Sequence, residues 1–94
     1  MYQALPDFLH IKDSPVAGQG IFAKDDIPEG VDLGMTHLNV CGIIYRTPLG
    51  GFVNHSDDPN CVKWEENQRY YMKSIRTIKK GEELFLKYSF YSVK

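Results

Sequence analysis

Apolar and polar positions alternate in short runs along most of this chain, and Gly, Pro, Asp and Asn separate the runs. Phe8-Leu9-His10-Ile11-Lys12 predicts a first strand, which Asp13-Ser14-Pro15 breaks. Ile21-Phe22-Ala23 predicts a second, followed by a turn over Asp25 to Gly30. From Val31 to Leu38 the apolar residues fall at 31, 33 and 35, a period of two that extends the sheet. Gly42-Ile43-Ile44-Tyr45 predicts another short strand. Cys61 to Asn67 and Arg69 to Ile75 predict a hairpin about Glu66-Asn67-Gln68. Arg76 to Glu83 forms a turn, and Leu84 to Tyr88 is the last strand. No window carries a sustained helical period, so helix is limited to a turn between Pro48 and Val53. The fold class is therefore mostly β, built from several small sheets.

At 94 residues there is room for a single domain, expected to span 1–94. A net charge of −1 supplies no basic field for nucleic acid, so none is expected as a partner. No apolar run reaches the ~20 residues of a membrane span, and Met1 to Asp7 lacks the pattern of a signal peptide. These readings predict no membrane partner and a cytoplasmic, non-secreted protein. Reduced thiols at Cys41 and Cys61 fit that compartment, although the spacing also allows a pair.

Gly50-Gly51-Phe52-Val53-Asn54-His55-Ser56-Asp57-Asp58-Pro59-Asn60-Cys61 fits none of these simple patterns. Phe52 and Val53 predict apolar anchors, and the polar residues after them predict a segment held inside the domain, bonded to its neighbours or to a ligand. Gly18-Gln19-Gly20 allows a tight turn and close backbone approach, either as an ordinary hairpin turn or beside a ligand.

Asn54-His55-Ser56 followed by Pro59-Asn60 resembles the central signature of SET domains, the protein lysine methyltransferases. Two further stretches resemble the family in the same order. One is Gly18-Gln19-Gly20-Ile21-Phe22-Ala23 with Pro28-Glu29-Gly30, and the other is Lys80-Gly81-Glu82-Glu83-Leu84 with Tyr88. The resemblance implies a SET-domain β fold whose C-terminal segment threads a loop near Asn54, a pseudoknot. It also implies S-adenosyl-L-methionine (AdoMet) as cofactor and a protein or peptide presenting a lysine as partner. Tyr88 would be catalytic. Gly18, Gln19, Gly20, Asn54 and His55 would bind the cofactor, with Phe90 or Tyr91 over its adenine. Leu86 would line the substrate channel, and no metal is needed.

The chain departs from the family at Gly51, where Arg is common, at Lys87, where Asp is common, and at Leu86, where Tyr or Phe is common. No cysteine-rich stretch follows Tyr88, and only about a dozen residues separate Met35 from Pro48. The chain in this respect resembles small viral and bacterial SET proteins. A second copy completing the channel, a homodimer, is one expectation. A catalytically silent SET-like module that binds a peptide or partner is the competing one. Tyr88 as a core tyrosine and His55 as a buried structural histidine remain the plainer alternatives for those residues.

Overall fold

A computed structural model describes residues 5–87. The strands are β1 (Leu9–Asp13), β2 (Gln19–Ala23), β3 (Asp32–Val40), β4 (Ile43–Arg46), β5 (Asn54–His55), β6 (Cys61–Glu66), β7 (Arg69–Ser74) and β8 (Phe85–Leu86). A short helix, α1 (Pro48–Phe52), lies between β4 and β5. β1 and β2 form an antiparallel pair, β4-β3-β7-β6 an antiparallel sheet, and β5 and β8 a parallel pair. This is the mostly β arrangement of small sheets that the alternating pattern predicts.

The β6–β7 turn carries Asn67 and Gln68 at φ of 52° and 66°, the left-handed pair that a tight hairpin requires. Trp64 and Tyr71 face each other across this hairpin and stack at 5.3 Å. Such a cross-strand aromatic pair holds the register. Leu9, Ile21, Leu33, Leu49, Val53, Met72, Ile78, Leu84 and Leu86 fill the core, so every sheet contributes to it.

Helix α1 is held by its own cap and by β3. Thr47 Oγ1 accepts from Gly50 N at 3.3 Å and lies 2.6 Å from Met35 O. Pro48 occupies the first helical turn, where its missing N–H costs nothing. A Cβ on Gly50 would overlap Thr36 O and stand 3.1 Å from the His37 ring. One on Gly51 would meet nothing. Of the adjacent glycines, only Gly50 is required by packing.

Three expectations are corrected. The period of two across β3 breaks at irregularities between Asp32 and Gly34 and between Met35 and His37. At such a bulge two residues oppose one, so two neighbouring side chains can face the same way. Thr36 (0% exposed) and His37 (6%) are therefore buried, while Met35 is only half-buried. Phe52 is not an anchor, because it is 37% exposed, whereas Val53 is buried as expected and Leu49 joins it. The polar run is not held inside the domain either. The side chains of His55, Asp57 and Asp58 are 41%, 89% and 91% exposed, and the buried polar residue of this stretch is Asn60.

Asn60 ties β6 to the last strand. Its Nδ2 donates to Glu83 O at 2.9 Å, and its Oδ1 accepts from Phe85 N at 2.8 Å. The neighbouring Cys61 thiol also reaches that oxygen, at 3.4 Å. Burial pushes the Cys61 thiol up to about 12. Its thiolate is thereby disfavoured, which makes it a core side chain rather than a nucleophile. Both cysteines are free thiols, Cys41 exposed and Cys61 buried.

His37 is the buried histidine of the described residues. Its Nδ1 bonds Thr36 Oγ1 at 2.9 Å, and its ring meets Tyr70 edge-on at 6.2 Å. Burial, reinforced by the positive charges of Lys63 and Arg46, lowers its pKa to about 4. The unfolded chain therefore takes up a proton near pH 6.5 that the native fold refuses until near pH 4. Stability falls as pH falls through this window. Between pH 6.5 and 5 the loss from this group is about 2 kcal/mol. Urea unfolding of wild type and His37→Gln across that range checks it, because the variant is expected to lack this part of the slope.

Candidate functional site

The site begins with a buried carboxyl group that joins the sequence motifs. Glu83 is 8% exposed and bridges to Phe22 on β2. Its Oε1 accepts from Ser14 Oγ at 2.8 Å, and its Oε2 accepts from Asn54 Nδ2 at 2.7 Å. Ser14 precedes the glycine turn, Asn54 opens β5, and Glu83 precedes β8. One carboxyl group thus gathers elements far apart in sequence, and with Asn54 it forms a clasp around the turn. Each bond is needed, because an acidic side chain at this depth must have its oxygens satisfied.

Asn54 completes the clasp. Its Nδ2 also reaches Ala17 O at 3.1 Å and Gln19 O at 3.3 Å, on either side of Gly18. The amide N–H groups are therefore used in holding the glycine turn. Its Oδ1 accepts no bond among the described residues. That leaves an oxygen acceptor beside an exposed loop. The loop is set by Ser14, which accepts from Val16 N at 3.0 Å, while Ser14 N donates to Gly18 O at 2.8 Å.

The two glycines of the turn have different reasons. Gly18 has a φ of 47° and nothing near its missing Cβ, so it is selected by backbone shape. Gly20 is buried, and a Cβ there would overlap Glu83 Oε2 and lie 3.1 Å from Asn54 Nδ2. It is selected by the close approach of the clasp.

Gly18, Gln19, Gly20 and Asn54 are therefore brought together. His55 follows on β5, and its Nε2 lies 3.2 Å from Asp57 Oδ1 at the surface. The buried-histidine alternative for His55 is excluded by its exposure. The parallel pairing of Asn54 with Phe85 and of His55 with Leu86 carries the C-terminal motif to the central one. Leu86, expected in a substrate channel, is 2% exposed and belongs to the core cluster, directly before the residues that lie outside the description. Tyr88, Phe90 and Tyr91 lie outside the described residues.

Ser14 and Glu83 were not singled out by sequence reasoning. Glu83 was legible only as part of the Gly81-Glu82-Glu83-Leu84 match. Adjacent acids in a turn give no sign of which one is buried, and the bridge to Phe22 decides it.

Gly20→Ala is expected to destabilise the fold by about 1–3 kcal/mol, since the added methyl must displace a held carboxyl. Gly51→Ala, with open space at its Cβ, is expected to stay within about 0.5 kcal/mol of wild type. Parallel denaturant titrations of the two variants check the contrast.

A model of the SET domain family matches residues 36–89. A SET domain-containing protein of Dictyostelium discoideum is 49% identical over 37 residues, which is 39% of this chain. The chain spans only 9% of that curated relative's length. Among solved structures, a candidate histone methyltransferase of Plasmodium falciparum matches with a TM-score of 0.76 at 18% identity, covering 93% of this chain and 96% of that one. The methyltransferase domain of human PR domain-containing protein 2 matches at 0.74 and 20% identity, covering 90% of this chain and 79% of that one. At such identities the structural likeness speaks to the fold alone. The family model spans more than half of the sequence and includes the central and C-terminal motifs that the clasp ties to the glycine turn. This chain belongs to the SET domain family.

Proposed function

We propose that the protein is an AdoMet-dependent protein-lysine N-methyltransferase. The observation that carries this reading is the clasp, which holds the glycine turn, Asn54 and the C-terminal motif of a SET domain against one another. The residues fit such a cofactor in two respects. The backbone of Gly18 and Gln19 is exposed, and Asn54 Oδ1 beside it can accept from an ammonium group. His55, next along β5, contributes its backbone to the same wall.

When bound, the cofactor supplies a methyl group carried on a positively charged sulfur. The chain has to align a lysine amine with that carbon and keep the amine unprotonated. A free lysine holds its proton up to a pKa of ~10.4, so a dry and locally positive enclosure is needed. Tyr88 is assigned the orientation of the amine through its hydroxyl, from its place after Glu83 and Leu84 in the C-terminal motif. Phe90 or Tyr91 is assigned the cover over the adenine. The substrate is a protein or peptide that presents a lysine.

Tyr88→Phe is expected to reduce turnover at least ~100-fold, within the range for loss of one positioned hydroxyl. Cofactor affinity should stay within about threefold, because that hydroxyl is not assigned to binding. Labelled AdoMet with a cell lysate gives the activity, and calorimetry gives the affinity. AdoMet binding with no label transferred to any protein would mean a silent binding module. Turnover at the wild-type rate in the variant would remove the role given to Tyr88.

A further inference from the structure

At the opposite end of β2 from the glycine turn lies a groove of about 350 Å³, lined by His10, Lys12, Ala23, Lys24, Lys80 and Gly81. Ala23 lies about 16 Å along the strand from Gly18, and the groove reaches back along β1 as far as Lys12, which pairs with Gly20. Every charged side chain on its wall is basic. No ion pair engages Lys12, Lys24 or Lys80 among the described residues, so their charge is unspent. Lys12 Nζ lies 5.3 Å from the Phe22 ring centroid, which fixes one side of the rim. On the other side, Lys80 N donates to Asp26 Oδ1 at 2.8 Å, and Gly81 N donates to Ala23 O at 2.8 Å. The floor is apolar, formed by Ala23, the bare backbone of Gly81 and the lysine stems.

We propose that this groove is a docking site for a short acidic peptide segment, with carboxylates on the lysine rim and one apolar side chain on the floor. The chain carries a net charge of −1, so a concentration of unpaired lysines is a local feature and not a reflection of composition. The rim has no guanidinium fork to grip a single planar anion, and ammonium groups act as separate point charges. That arrangement matches several carboxylates spread along an extended chain. A long nucleic acid is disfavoured, because the basic side chains are confined to one short groove and a net charge of −1 supplies no wider basic field for phosphates running past it. The proposal does not depend on methyl transfer, since none of the lining residues belongs to the clasp.

The test is fluorescence anisotropy with a labelled Glu-Glu-Leu-Glu-Glu peptide and the full chain at about 50 mM salt, where screening is weak. Saturable binding is expected, weakened at least tenfold when Lys12, Lys24 and Lys80 are all changed to Glu. It should be unaffected by Arg69→Glu, on the distant β6–β7 hairpin. The lysines are exposed, so thermal melting should be unchanged, and a version with all three changed to Gln serves if the reversed protein misfolds. Absence of binding by the wild type, or binding by the reversed and neutral variants as tight as that of the wild type, overturns the proposal. Tighter binding of duplex DNA than of the peptide, abolished by the same variants, also overturns it, in favour of a nucleic-acid groove.

Discussion

The carboxyl group of Glu83 is the point on which the arrangement depends. It is buried, and its oxygens are satisfied by Ser14 and Asn54, residues 69 and 29 positions away. A buried acid without partners would cost more than such a small fold can offset. The bonds therefore fix the relative positions of the glycine turn, the central motif and the last strand together. Gly20 follows from the same constraint, because any side chain there would occupy the place of the carboxyl group.

Asn60 performs a comparable task on the approach to the last strand. It bonds the backbone on both sides of Leu84, at Glu83 O and Phe85 N. The approach to β8 is thus held by a side-chain amide where a two-residue parallel pair has few backbone bonds of its own. Asn54 and Asn60, both in the central motif, have separate duties: Asn54 shapes an exposed turn, and Asn60 supports the core. Their spacing places the first at the surface and the second beneath it.

The exposed part of the central motif follows from this division. His55, Asp57 and Asp58 lie outward because the buried hydrogen-bonding capacity is already supplied by Asn54, Asn60 and Glu83. A neutral, buried histidine does exist, but it is His37, next to the irregularity in β3. The same irregularity explains why Thr36, which alternation from 31, 33 and 35 turns outward, is buried. At a bulge two residues oppose one, so neighbouring side chains can turn to the same side.

Much of the fold was legible along the chain. The alternation of Leu9 to Asp13, the β6–β7 hairpin with its Asn67-Gln68 turn, and the helical turn after Pro48 are set by neighbouring residues, which local pattern records. The order of the motifs likewise points to the family by itself. The burial of Glu83, the role of Ser14, the exposure of Phe52 and the meeting of Lys12, Lys24 and Lys80 around one groove were decided by tertiary structure. Each depends on which distant strand lies alongside, and on its register. Those are properties of long-range pairing, on which the spacing of residues along a single strand carries no information.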